Sequence, residues 1–168
     1  RCRGASLCLD IVVCESGSAS GGRACVDEFL RAIGERLVLT LRPHDFVARL
    51  GGDEYAIVIN GSAEKNVDQH VAQRVLFSLG RPFTINDERL DITASIGIAR
   101  FPDDAETAEL LMRSADTAMY RAKASGRNTY ATFEKSMEEI GGQLRESLTK
   151  GHFRPYNQPV SHTHLTLP

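Results

Sequence analysis

Short apolar or alternating segments along the chain predict the strands of a single sheet. The segment 7–13 is apolar at nearly every position, which is typical of a central strand covered on both faces. The segment 90–99 alternates and then becomes apolar, and the Asn86-Asp87 turn predicts that it pairs with the segment just before it. The predicted strands cover 7–13, 46–50, 54–59, 82–85 and 90–99, with a further edge strand at 130–133.

Between these strands, apolar residues recur at helical spacing and predict amphipathic helices. Pro43 ends the first helix, Gly80 and Pro82 end the second, and the small residues of the third permit close packing on the sheet. The apolar stripes are Val26, Phe29, Leu30, Ile33 and Leu37; Val67, Val71, Val75 and Leu79; Leu111, Ala115, Ala118, Met119 and Ala122; and Met137, Ile140, Leu144 and Leu148. Together the elements predict an α/β sandwich whose mainly antiparallel central sheet is flanked by helices.

Length and charge narrow the class of protein. A chain of 168 residues indicates one domain with some additional sequence, and it can bury roughly two thirds of its unfolded surface. The net charge of −2 gives no electrostatic reason to expect nucleic acid as a partner, and no apolar run approaches the about 18 residues of a membrane span. We therefore expect a soluble domain with no membrane contact by this segment. The cysteines lack a CxxC pair and zinc spacing, so we expect reduced, buried thiols at Cys2, Cys8, Cys14 and Cys25.

The predicted hairpin turn carries the candidate chemistry. Gly51 and Gly52 can adopt positive φ and let a ligand approach the main chain, while Asp53 and Glu54 supply the oxygen ligands that Mg²⁺ prefers. The alternative is an ordinary hairpin with acidic residues at its tip.

Two separate blocks of sequence resemble one known family. The first is Asp-Phe-Val-Ala-Arg-Leu-Gly-Gly-Asp-Glu-Tyr-Ala-Ile-Val-Ile over 45–59, and the second runs through Ala-Ser-Ile-Gly-Ile-Ala over 94–99, Phe101-Pro102, the stretch 115–123 and Gly126-Arg127-Asn128. They are similar to the GGDEF family, the diguanylate cyclases of bacterial signalling, with Tyr55 in place of the usual Phe. The resemblance covers about residues 7 to 132 and implies a fold similar to nucleotide cyclases and polymerase palms.

The resemblance also implies a reaction, a cofactor and partners. Members of this family join two GTP molecules into cyclic di-GMP with Mg²⁺ or Mn²⁺, and a homodimer is expected for catalysis. By resemblance, the metal ligands are Asp10, the Ile11 carbonyl and Asp53, with Asp53 also the base for the attacking hydroxyl and Glu54 completing the acidic turn. The alternative for Asp10 is a strand-end carboxylate that accepts hydrogen bonds from loop amides.

Substrate contacts follow from the same match. Lys123 and Arg127 are expected one helical turn apart, and the family uses this pair to hold the triphosphate. The family uses the position of Asp27 to recognise the guanine edge, beside Gly51 and Gly52 at the turn. Alternatives are a solvated basic helix end for the first pair and an acid near a helix N-terminus for Asp27.

Three positions depart from the family pattern. Ser18 replaces a guanine-reading Asn, Glu15 replaces a Lys that stabilises the transition state, and Val12 replaces a frequent Asp. These changes predict reduced turnover and keep open a second hypothesis, that of a non-catalytic module sensing GTP or cyclic di-GMP. A purely structural domain is the third and weakest hypothesis, because so much ligand-binding sequence persists.

A further site is predicted before the hairpin. Arg42-Pro43-His44-Asp45 matches the RxxD inhibitory site of the family, in which Arg42 and Asp45 would bind cyclic di-GMP. Its alternative is a plain polar turn.

The expected domain organisation has four parts. Residues 1–133 form a GGDEF domain lacking its N-terminal helix, 134–151 a connecting helix, 152–160 the start of a truncated EAL phosphodiesterase domain, and 161–168 a non-native tail. A downstream EAL domain in the same chain is thus an expected partner. We expect a cytoplasmic location, with room for a membrane anchor upstream in the parent protein.

Overall fold

The strands form one sheet, and helices cover both of its faces. A computed structural model of the chain describes residues 4–14, 23–60 and 66–136. The elements are β1 (Gly4–Cys14), α1 (Arg23–Thr40), β2 (Phe46–Gly51), β3 (Glu54–Asn60), α2 (Val67–Leu79), β4 (Phe83–Ile85), β5 (Glu88–Phe101), α3 (Ala108–Ala124) and β6 (Thr129–Thr132). Every predicted strand is present, and the three helices predicted before residue 125 are confirmed. The final predicted helix, with the EAL start and the tail, lies outside the described residues.

The strand order is β2-β3-β1-β5-β4, and β6 pairs with β5. All pairs are antiparallel except that of β5 with β6, so the predicted mainly antiparallel sheet is confirmed. The central position predicted for β1 is also confirmed, because β1 lies between β3 and β5. Asn86 and Asp87 both have positive φ, as a tight turn between β4 and β5 requires.

The two faces of the sheet bury different cores. Helices α1 and α2 cover one face, and the core between them and the sheet contains large aliphatic side chains such as Leu7, Ile33, Ile57, Val75 and Ile96. Helix α3 covers the other face, where the buried set is mostly small and includes Cys8, Ala99, Ala115, Ala118 and Met119. The apolar stripes agree with the prediction in the main, although Val26 of α1 is 52% exposed.

Helix α3 lies unusually close to the sheet. A Cβ atom added at Gly97 of β5 would collide with the carbonyl of Ala115 and the backbone of Met119. Only glycine therefore allows this approach. The close packing predicted from the small residues of α3 is confirmed, and it brings the C-terminal turn of the helix over β1.

A buried ion pair joins α2 to the sheet. The Nε of Arg100 in β5 lies 2.6 Å from an oxygen of Asp68, which stands in the first turn of α2 and is only 6% exposed. The backbone N–H of Arg100 also donates to Asp104 at 2.7 Å. Burial raises the pKa of Asp104, and that hydrogen bond opposes the shift.

Candidate functional site

The turn between β2 and β3 presents its backbone to solvent. Gly52 has φ of 53°, and a Cβ atom at Gly51 would meet nothing within 4 Å. The Nε of Arg49 donates to the Gly52 carbonyl at 2.9 Å, which holds the turn from one side. Asp53 and Glu54 are exposed. The predicted open turn with acidic side chains is therefore present, and its geometry leaves room for a ligand against the main chain.

Asp10 lies beside this turn in the central strand. It is 8% exposed, and in the strand register it stands directly opposite Glu54 of β3 on one side and Ser95 of β5 on the other. Directly opposite residues of an antiparallel pair point to the same face. Glu54, Asp10 and Ser95 thus form a row across three strands, on the face that α3 covers.

Asp10 has a cationic partner from α3. The Lys123 Nζ lies 2.9 Å from an Asp10 oxygen, and the two side chains are 29% and 12% exposed. A buried carboxylate needs such a partner to offset the loss of hydration. The Asp10 side chain is therefore paired with an ammonium group.

The thiol of Cys8 is buried on the same face of the sheet. Cys8 of β1 is 4% exposed, and its Sγ contacts the Met112 carbonyl at 3.8 Å. Burial first, and then the negative charges of Asp116 and Glu54, raise the pKa of Cys8 to about 12. The predicted buried, reduced thiol agrees with Cys8.

The carboxylates do not form a ready-made cluster. Asp53 lies in the turn just before β3, and the residue paired with Asp10 is Glu54. Within residues 4–14, 23–60 and 66–136, no three acidic, His or Cys side chains are grouped closely enough to hold a metal. The buried Asp10 carboxylate nevertheless fits a cation, because the Lys123 ammonium already neutralises its charge.

The Ile11 carbonyl remains a candidate ligand. The pairing of β1 with β3 stops at Asp10, whereas its pairing with β5 continues to Cys14. The edge of β1 that faces the hairpin is therefore not paired with β3 beyond Asp10.

A groove of about 800 Å³ lies between α1 and the hairpin. Asp27 lines it together with Leu30, Arg49 and Tyr55. The Tyr55 hydroxyl donates to the Leu30 carbonyl at 2.8 Å, so the residue that replaces the usual Phe ties the hairpin to α1. Burial raises the pKa of Tyr55; the charge of Arg49 opposes this shift, and the charge of Asp53 adds to it.

The two predicted phosphate-binding residues do not share a helical face. Lys123 lies in the last turn of α3, but Arg127 follows the end of the helix with φ of 60°. The Arg127 N–H donates to the Ala122 carbonyl at 3.2 Å, which closes the helix end. Extrapolating one helical turn past Lys123 was wrong, because Gly126, with φ of 112°, turns the chain away.

The residues of the RxxD motif form a compact turn. The Asp45 carboxylate accepts from the Arg42 N–H at 3.2 Å, and the Asp45 N–H donates to the Arg42 carbonyl at 3.0 Å. The Arg42 side chain is on the surface. Ser18 and Glu15 lie outside the described residues.

Sequence reasoning missed the Lys123–Asp10 pair and the buried hydroxyl beside it. Ser95 is 1% exposed, and its Oγ has no hydrogen-bond partner among the residues that the structure describes. The available signal was a polar residue within the stretch 94–99, whose other residues are Ala, Ile and Gly.

Comparisons with known proteins point to one family. The family model described as "Diguanylate cyclase, GGDEF domain" matches residues 5–129. The chain is 33% identical over 164 residues to the bifunctional diguanylate cyclase/cyclic di-GMP phosphodiesterase MucR of Pseudomonas aeruginosa, covering 94% of this chain and 24% of that protein. It spans only 18% to 24% of the length of the first curated relatives.

Solved structures are similar as well. An EAL/GGDEF domain protein from M. capsulatus is 42% identical with a TM-score of 0.71, covering 79% of this chain and 85% of that one. The GGDEF domain of YfiN (TpbB) from Pseudomonas aeruginosa is 32% identical with a TM-score of 0.73, covering 80% and 84%. Among the described helices, none combines the length and the apolar content that crossing a membrane requires.

Proposed function

Because this chain belongs to the GGDEF (diguanylate cyclase) family of bacterial signalling proteins, we propose that it condenses two GTP molecules into cyclic di-GMP. The observation that best supports this is the buried Asp10 carboxylate, placed opposite Glu54 at the hairpin and neutralised by a cationic group. A carboxylate in a core strand is costly to bury, and a cation-dependent role explains why it is there.

The proposed metal ligands are Asp10, the Ile11 carbonyl and Asp53, with Mg²⁺ or Mn²⁺ as the ion. Such an ion neutralises phosphate charge and lowers the pKa of a bound hydroxyl. Carboxylate and carbonyl oxygens are the ligands that these cations prefer, and the backbone edge of β1 next to the hairpin is not paired with β3.

The remaining roles belong to side chains around the hairpin. We assign Asp27 to the guanine edge, since it lines the groove that leads to the turn. The exposed backbone of Gly51 and Gly52 gives the phosphates close access, and Lys123 and Arg127 bind the triphosphate. Ser18 is assigned to the base-reading loop.

In the proposed reaction, the 3′-hydroxyl of one GTP attacks the α-phosphorus of the other and pyrophosphate leaves. Asp53 accepts the hydroxyl proton, and Glu54 completes the acidic turn. Repeating the step with the roles exchanged closes the ring, so two chains, each holding one GTP, would have to face each other. This is why we propose a homodimer as the active form.

A sensing role is the second candidate. It is favoured by Glu15 and Ser18, which replace a Lys and an Asn of the family pattern and weaken the case for turnover. In that case cyclic di-GMP would bind at the Arg42 and Asp45 turn, and the domain would regulate an EAL phosphodiesterase that follows it. The EAL/GGDEF protein from M. capsulatus and the bifunctional MucR are relatives that support such a tandem arrangement.

GTP as substrate implies a cytoplasmic location.

The test is product formation from Mg²⁺-GTP, measured by chromatography. Wild-type chain should make cyclic di-GMP, Asp53→Ala should make none, and the exposed Asp103→Asn should match the wild type. Glu15→Lys combined with Ser18→Asn should raise the rate at least about tenfold, which corresponds to about 1.4 kcal/mol of barrier. GTP binding without product in every variant would favour the sensing role, and product from Asp53→Ala would remove Asp53 from the mechanism.

A further inference from the structure

Ser95 is a buried polar group without a partner in the described part of the chain. It is 1% exposed, and its Oγ makes no hydrogen bond there. Ser6, on the neighbouring strand, is equally buried, but its hydroxyl contacts the Met112 sulfur at 3.3 Å. An unsatisfied buried hydroxyl is destabilising, so its presence calls for an explanation outside the state that the structure shows.

The strand does not need a serine at this position for packing. Small residues that carry no polar group occupy the next positions of β5 on the face that α3 covers, Gly97 and Ala99. Alanine would therefore fit the same size requirement at residue 95. What serine adds is the hydroxyl alone.

The register places this hydroxyl next to Asp10. Ser95 is the direct partner of Asp10 across β5 and β1, and both face α3. Directly opposite residues have Cβ atoms about 5 Å apart, which is within reach of a hydroxyl and a carboxylate after one rotation. Thr129 flanks Ser95 on the other side, but a charged acceptor forms the stronger hydrogen bond.

In the structure, the Asp10 carboxylate is paired with Lys123. Its ammonium group lies 2.9 Å from one Asp10 oxygen and supplies both charge and hydrogen bonding. A divalent cation at Asp10 would displace this ammonium by charge repulsion and free Lys123 for an anion. The carboxylate would then lose a donor, and the lone pairs left over by the metal would need another one.

We propose that Ser95 is a positioning residue for Asp10, whose hydroxyl donates to the carboxylate when a divalent cation replaces the Lys123 ammonium. Ser95 thus keeps the Asp10 oxygens oriented toward the ion. This inference rests on the proposed cation site and adds a residue that has no role in it so far.

The test compares Ser95→Ala with the matched control Ser6→Ala. Mn²⁺ alone is titrated into the chain and free Mn²⁺ is followed by electron paramagnetic resonance, while Tm is measured without divalent cations. Ser95→Ala should weaken Mn²⁺ binding at least about fivefold and leave the metal-free Tm unchanged or higher, because it removes an unsatisfied hydroxyl. Ser6→Ala should leave Mn²⁺ binding unchanged and lower Tm slightly, because it removes a contact that is made.

Two results would overturn the inference, and they are distinguishable from each other. Unchanged Mn²⁺ affinity in Ser95→Ala, with or without a lower Tm, would give the hydroxyl a structural role only. If Asp10→Asn also binds Mn²⁺ like the wild type, the cation site itself is wrong. If Asp10→Asn abolishes binding and Ser95→Ala does not affect it, the site stands and the role of Ser95 falls.

Discussion

Two buried ion pairs occupy opposite ends of the central strands, and they differ in what surrounds them. Asp68 with Arg100 and Asp10 with Lys123 both join a buried aspartate to a partly exposed cation, at 2.6 and 2.9 Å. Along β5, Arg100 and the residue facing Asp10 are five positions apart in the register, or about 17 Å.

The Asp68 pair is complete. Asp68 stands in the first turn of α2, where the helix dipole favours a negative charge, and Arg100 is fixed a second time through its N–H bond to Asp104. Arginine is always charged and its planar donors suit a permanent pair. We infer that this pair is structural.

The Asp10 pair is incomplete. Its cation is the compact, mobile ammonium of Lys123, a second carboxylate lies opposite at Glu54, and Ser95 beside it lacks a partner among the described residues. We infer that the Asp68 pair holds the fold together and that the Asp10 pair exchanges with a ligand, as the proposed cation site requires.

The largest expected effect is on the structural pair. Asp68→Ala should lower the free energy of unfolding by roughly 3 kcal/mol, because it leaves Arg100 without its buried partner. Urea denaturation measures the loss. Glu35→Ala is the control, since its pair with Arg31 is exposed and should contribute less than about 1 kcal/mol. Equal losses in the two variants would contradict a structural role for Asp68.

Removing the other cation should have a smaller and reversible effect. Lys123→Met should lower metal-free stability by roughly 1–2 kcal/mol, because Asp10 stays buried without a partner. Saturating Mn²⁺ should restore much of the loss by supplying a cation. Arg121→Met is the control, because its pair with Glu134 is exposed and 3.7 Å long. A deficit that persists in Mn²⁺ would place Lys123 in the same class as Arg100.

The Cys8 thiol should make the free energy of unfolding sensitive to alkaline pH. Its folded pKa of about 12 lies above the unfolded value of 9.0, so its contribution to stability is complete below pH 9 and is lost as pH rises toward 12. Between pH 8 and pH 10 this loss is about 1 kcal/mol. Cys8→Ala should flatten the unfolding free energy over that range. An unchanged slope would show that the Cys8 thiol titrates normally.

Exchanging the two cation types should give the smallest effects. Arg100→Lys should cost up to about 1 kcal/mol of stability, because the ammonium cannot reproduce the fixed guanidinium geometry. Lys123→Arg should retain stability but weaken Mn²⁺ binding a few fold, since a guanidinium gives up the carboxylate less readily. Electron paramagnetic resonance with Mn²⁺ and urea denaturation separate these results. Stronger Mn²⁺ binding by Lys123→Arg would reverse the comparison.

The sequence predicted the elements well because each has a strong period. The stripe at Val67, Val71, Val75 and Leu79 is buried throughout α2, and the hairpin strands begin and end within about a residue of expectation. Asp10, in a strand that is otherwise nearly all apolar, has a cationic partner at Lys123.

The identity of that partner could not be read from the sequence. It depends on how α3 crosses the sheet, which the close approach at Gly97 determines. Arg127 was misplaced for a related reason, because the positive φ of Gly126 ends the helical geometry before it. The role of Asp53 stays a prediction. The register of β1 with β3 places Glu54 opposite Asp10, and Asp53 lies in the turn just before Glu54.

The central claim is that Asp10 exchanges its ammonium partner for a divalent cation. A crystal of the chain grown with Mn²⁺ and a GTP analogue that cannot react tests it most directly, through the anomalous signal of manganese. The account predicts a peak at coordination distance from an Asp10 oxygen, beside the hairpin turn, with the Lys123 Nζ withdrawn from that carboxylate. Bound nucleotide with no manganese at Asp10, and Lys123 still paired with it, would contradict the account.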